Sequence, residues 1–111
     1  MIQQQLNAFN RDDYDTAYSF ASRHIQAKFS RSEFEQMVKT GYRQIARSRR
    51  AVFDKIAFSD AENRAMASVT ITGLDRITIT ANYRMVREDG KWKTDGVMMT
   101  SERTPIAYES S

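Results

Sequence analysis

The 111 residues suffice for one domain with its own core, and the absence of cysteine removes disulfides, thiol nucleophiles and cysteine-ligated metals. A single histidine, His24, is a poor basis for a zinc site within one chain, and no apolar run approaches the roughly 18 residues of a membrane span. The formal net charge of +3 is modest, and with neither metal-ligand spacing nor a nucleotide-binding loop no cofactor is expected.

The N-terminus, Met1-Ile2-Gln3-Gln4-Gln5, lacks the basic and apolar regions of a signal peptide. The chain as given reads as cytoplasmic, and as secreted or periplasmic if a leader has been removed. Ile2, Leu6 and Phe9 fall on one stripe of a first helix, which Asn10-Arg11-Asp12-Asp13 breaks. Asp12 or Asp13 suits the N-cap of a second helix carrying Tyr14, Ala17, Tyr18 and Ala21 on one face. Ser22-Arg23-His24 interrupts, and Ile25 with Phe29 gives one further apolar turn. Ser32 and Glu35 read as a capping box opening a third helix with Phe34, Met37, Val38, Tyr42 and Ile45 inward. Gly41 within that stripe costs up to about 1 kcal/mol against alanine unless close packing requires it.

Lys39, Arg43, Arg47, Arg49 and Arg50 fall within twelve residues at the end of this helical half. Such a cluster could meet phosphates. It lacks the interleaved aromatics of a single-strand platform and matches no nucleic-acid motif, so nucleic acid is not an expected partner.

Strand signals follow. Ala51 to Phe58 is a first strand, and the polar run from Ser59 to Asn63 is its turn. Arg64 to Thr72 alternates, with Ala65, Ala67, Val69 and Ile71 on one face. After Gly73-Leu74-Asp75, the segment from Arg76 to Arg87 places Ile77, Ile79, Ala81, Tyr83 and Met85 inward and Thr78, Thr80, Asn82 and Arg84 outward. The Asp89-Gly90 hairpin signal then returns the chain through Trp92, Thr94, Gly96 and Met98, read as inward. Helices followed by an antiparallel sheet with one apolar face describe an α+β domain over residues 1–100. Residues 101–111, with the single proline Pro105, read as a polar tail.

The residues Ala21-Ser22, Ile25-Gln26, Phe29, Phe34, Met37-Val38, Gly41-Tyr42, Phe53 and Asp89-Gly90-Lys91-Trp92-Lys93 carry a resemblance. Over roughly residues 2–99 the chain resembles a bacterial family of unknown function placed with the NTF2-like, or cystatin-like, superfamily. It departs from that pattern where Arg23 or His24 and Arg43 stand in place of prolines, and where Val97 stands in place of a cysteine. The resemblance implies a cone: about three helices packed into a curved antiparallel sheet of about four strands, with a pocket at the open end. Superfamily members include isomerases, dehydratases and cyclases beside transport and interaction modules, and many form homodimers through the outer sheet face. The immediate family brings no functional residues to transfer, and fold alone does not settle function.

Two functional classes follow as expectations. The first is a module that binds a small apolar or amphipathic ligand, or a protein partner, using Tyr18, Tyr42, Tyr83, Thr94 and Met98. Thr94 is a smaller, polar residue that would widen and wet the pocket if it faces inward, though a strand threonine also suits β-propensity. The methionines suit an adaptable lining, and equally an ordinary core. The alternative is a lyase or isomerase with a carboxylate base and a tyrosine donor. Asp54 is the candidate base and Tyr14 the donor, with Tyr18 and Tyr42 as substitutes. Asp54 points toward the core only if Val52, Ile56 and Phe58 do; the register with Phe53 and Ala57 inward puts it in water. Asp95 should lie opposite Trp92, and His24 sits in the expected break between helices. A homodimer through the threonine-rich sheet face is expected from superfamily habit, and membrane insertion is not.

Overall fold

A computed structural model describes residues 1–59 and 63–101. The expected turn centred on residues 60–62 and the expected tail from residue 102 onward lie outside the described residues. Among the described residues the order is α1 (Ile2–Asn10), α2 (Tyr14–Ser19), α3 (Arg23–Lys28), α4 (Arg31–Gly41), α5 (Arg43–Ala46), β1 (Ser48–Phe58), β2 (Arg64–Gly73), β3 (Thr78–Glu88) and β4 (Lys91–Ser101). The four strands form one antiparallel sheet in sequence order, and the helices pack on one face of it. This is the expected α+β, cone-like arrangement, with the helical half divided more finely than its periodicity suggested.

Local chemistry explains the divisions. Asp13 caps α2, its carboxylate accepting from the Thr16 amide at 3.2 Å. Asn10, at the end of α1, bonds both ways with the Ser48 backbone, which pins that helix to the start of β1. Ser22 caps α3 by accepting from the Ile25 amide, so His24 lies within a helix rather than in a break. The capping box of α4 is Ser30 with Glu33, not Ser32 with Glu35. The serine-to-glutamate spacing is the same in both pairs, and Glu35 instead ion-pairs with Arg31 and Lys39 along the helix. The expected third helix ends at Gly41, with Tyr42 at once the C-cap of α4 and the N-cap of α5. A side chain at Gly41 would meet open space, so close packing does not account for that glycine.

The inner sheet face is the core. Ala65, Ala67, Val69 and Ile71 of β2 pair with Met85, Tyr83, Ala81 and Ile79 of β3, and all eight are buried against Leu6, Phe9, Phe34, Val38 and Ile45. The β3–β4 turn carries positive φ at both Asp89 (51°) and Gly90 (79°), as a tight hairpin turn requires.

Two bulges alter the expected faces. In β1 the register shifts at Asp54, so Ala51 and Phe53 face the helices before it and Ile56 and Phe58 after it. The two registers weighed for this strand therefore each hold over one half of it. In β4 the shift at Asp95 turns Val97 and Met99 inward and sends Met98 to the outer face opposite Asn82, correcting the inward reading of Met98. Edge strand β1 extends beyond the helices, leaving Phe53, Ile56 and Phe58 substantially exposed on the inner face, where Phe58 meets Trp92 at 5.9 Å between ring centroids. No helix among the described residues is long and apolar enough to cross a membrane.

Candidate functional site

The free edge of β4 places the site. Thr94 bonds to the chain just before α3: its amide donates to the Phe20 carbonyl at 2.8 Å, and the Ser22 amide donates to the Thr94 carbonyl at 2.9 Å. This short parallel bridge between Ala21 and Thr94 ties the start of α3 to the β4 edge. Beside it lies a cavity of about 510 Å³ in all, lined by α3, α4 and the inner faces of β3 and β4 and continuing round the β4 edge onto the outer face at Met66, Asn82, Arg84 and Met98.

The cavity wall is mostly apolar. Ile25 and Phe29 contribute from α3, Phe34, Met37 and Val38 from α4, with Phe9, Tyr42, Ile45, Tyr83 and Val97 completing the surface. Gln5 and Thr94 are its buried polar members, and they satisfy each other. Thr94 Oγ1 donates to Gln5 Oε1 at 2.9 Å, and Gln5 Nε2 donates to the Ala17 carbonyl at 3.0 Å. Thr94 thus faces inward as the sequence allowed, with its hydroxyl committed to a neighbour.

Tyr83 is different. Its ring lines the cavity, its hydroxyl is closed off from solvent, and that hydroxyl has no hydrogen-bond partner among the described residues. Burial pushes its pKa far above the ordinary tyrosine value, which keeps it a neutral donor. An unpaired buried hydroxyl is costly and uncommon in native structures.

The mouth is polar and charged. His24 and Lys28, one turn apart on α3, border it together with Asp95, Gly96 and Arg84 from β4 and β3. Asp95 accepts from Ser22 Oγ at 2.6 Å, so the residue that caps α3 also ties it to the β4 bulge. Arg84 belongs to the outer face by register and lies across β4 at Gly96, where a Cβ would collide with its guanidinium. Asn82, Met66 and Met98 border the same opening from that outer face, so the mouth runs round the free edge of β4.

The candidate residues separate accordingly. Tyr42, Tyr83 and Thr94 come together on the cavity wall, and Met98, 68% exposed, stands at its outer rim. Tyr18 does not line the cavity: its hydroxyl donates to the Phe29 carbonyl at 2.6 Å, bracing α2 against the end of α3. Tyr14 lies in the core beside Phe9, with Lys39 and Arg31 against its ring, and burial raises its pKa. Asp54 is exposed on β1, accepts from Thr70 Oγ1 at 2.8 Å and is not part of the cavity wall. Asp54 follows the inward-facing Phe53, so alternation turns its carboxylate to the outer side, where Thr70 lies, and the bulge keeps Lys55 on that side as well. The paired roles suggested for Asp54 and Tyr14 therefore have no common site.

Sequence reasoning missed Lys28 as a mouth residue. The available signal was its spacing from His24 beside the apolar pair Ile25 and Phe29. The basic cluster dissolves in part, since Lys39 pairs with Glu35 and Arg47 with Asp12. The outer sheet face is threonine-rich as expected, but it also exposes Met66 and Met98. No group of three or more potential metal-ligating side chains occurs among the described residues.

The model for the family described as "Domain of unknown function (DUF4864)" matches residues 1–107 of the chain. A search of curated proteins found no similar sequence.

Proposed function

The chain belongs to the DUF4864 family, and we propose that it is a non-catalytic module binding a small, largely apolar molecule between its helices and sheet. The observation that carries this reading is the cavity of about 510 Å³, walled by aliphatic and aromatic side chains and open past the β4 edge. That volume lies within the roughly 300–1,000 Å³ range of small-molecule sites, and a mostly apolar wall with a few placed polar groups is their usual composition. Gln5 and Thr94 are the polar groups buried on its wall. The catalytic alternative has less support, because Asp54 and Tyr14 lie away from the cavity and from each other.

The test is a titration with linear alcohols. Each buried methylene contributes about 0.8 kcal/mol, so 1-octanol should bind about tenfold more tightly than 1-hexanol. Met37→Trp, which fills the cavity from α4, should abolish both. Equal affinity of the two alcohols, or binding unchanged by the tryptophan, would overturn the reading.

A further inference from the structure

The cavity wall and its mouth carry different chemistry, and that contrast identifies the ligand more narrowly. Most cations elsewhere on the helical side are matched: Arg11 with Asp13, Arg23 with Asp89, Arg31 with Asp15 and Glu35, Lys39 with Glu35, and Arg47 with Asp12, while Arg43 on α5 has no ion pair among the described residues and borders no part of the cavity except through its neighbour Tyr42. Lys28 and Arg84 at the mouth have no ion pair or side-chain hydrogen bond among the described residues. Unpaired cations occur elsewhere too, such as Arg49 and Arg50, but those border no part of this cavity. Lys28 also ends α3, where a cation suits the last turn of a helix. Arg84 has no such local reason. Its guanidinium lies over Gly96, a position open to it only because that residue lacks a Cβ. Asp95 is the one carboxylate on the wall among the described residues, and Ser22 occupies one of its oxygens. Lys28 and Arg84 thus set two cations at the mouth against one carboxylate, Asp95.

We propose that the ligand is an anionic amphiphile, a molecule with a carboxylate head and an alkyl body, whose head sits between Lys28 and Arg84 while its chain lies among Ile25, Phe29 and Met37. The inference rests on the cavity-binding reading and adds the sign of the head group. A guanidinium and an ammonium bordering one opening can offer charge-assisted bonds to both oxygens of a carboxylate. Exposure at the mouth leaves those bonds open to screening by salt. The alkyl body takes the apolar wall.

The experiment compares octanoate, 1-octanol and octylammonium on the same purified protein by calorimetry, at low and at high salt. Octanoate should bind about tenfold more tightly than 1-octanol at low salt, as expected for one good charge-assisted contact, and the advantage should shrink as salt rises. In the double variant Lys28→Gln, Arg84→Gln, octanoate should fall to within about twofold of 1-octanol while 1-octanol itself keeps its affinity. Lys28→Arg alone should retain the preference. Both side chains are exposed, so the variants should unfold at the wild-type temperature. If 1-octanol binds as tightly as octanoate, or octylammonium more tightly, the assignment of an anionic head is overturned and the cavity reading stands. If none of the three binds, both readings fail together.

Discussion

Replacing Tyr83 by phenylalanine removes one oxygen from the centre of β3 and leaves the ring, its packing and the strand register in place. In most proteins a buried tyrosine hydroxyl has a partner, and its loss is destabilising. Here the hydroxyl is buried and unpaired among the described residues, so the folded state bears a desolvation cost with nothing to offset it. That cost is about 1–3 kcal/mol for a buried donor left unsatisfied. The void left by the missing oxygen, on the order of 10–15 Å³, returns only about 0.3 kcal/mol at 24 cal/mol per Å³. Tyr83→Phe should therefore stabilise the ligand-free protein by about 1 kcal/mol or more. For a domain near 100 residues, that is a rise of about 4–8 °C in melting temperature. Urea titration at fixed pH, with an unchanged m-value, is the assay. The sign decides the matter: a loss of 1 kcal/mol or more would mean that the hydroxyl has a partner in solution, and the argument from an unmet donor would be refuted.

Other consequences are narrower. Ser30→Ala should cost about 1 kcal/mol, because it removes the cap of α4, whereas Ser32→Ala should cost close to nothing; chemical denaturation of the two variants in parallel checks the assignment. Ser22→Ala removes both the α3 cap and the hydrogen bond to Asp95, and should increase hydrogen exchange of the α3 amides more than that of α4. Asp54→Asn should leave stability within about 0.5 kcal/mol and ligand affinity unaltered, measured by denaturation and calorimetry. The bond from Thr16 holds the Asp13 carboxyl below its ordinary pKa, and the Lys39 and Arg31 partners do the same for Glu35. Both groups have depressed folded pKa values, so their stabilisation is present above the ordinary carboxylate range and lost as pH falls through the folded values. A melting series should decline on the acid side of that range and show no step near neutrality from these groups.

The sequence made the regular parts of this fold legible and the irregular parts obscure, for physical reasons. Alternation over β2 and β3 is uninterrupted, so their inward faces, Ala65 to Ile71 and Ile79 to Met85, could be read directly. The bulges at Asp54 and Asp95 could not, because one extra residue inverts every later face while the composition hardly changes. Met98 was misplaced for that reason, and the two readings of Asp54 stayed open for the same one. At α4 two serines, Ser30 and Ser32, each stand three residues before a glutamate, so the capping-box pattern fits both and only packing selects one. Part of the site was visible: Tyr42, Tyr83 and Thr94 were candidates and lie on one wall. Its mouth was hidden because it depends on α3 hanging from the β4 edge by backbone bonds at Thr94, a contact between segments more than seventy residues apart that no local pattern encodes.

The most direct test of the binding account is a 1-octanol titration followed by NMR of methyl-13C-methionine protein, because the six methionines sample different surfaces. Met37 lines the cavity from α4, Met85 is buried outside its wall, and Met66 and Met98 are exposed on the outer sheet face. The account predicts saturable shifts that are largest at Met37, with Met85 nearly still and Met66 and Met98 moving only to the extent that they border the mouth. Shifts confined to Met66 and Met98, with Met37 unmoved at saturation, would place binding on the open sheet surface and contradict the account.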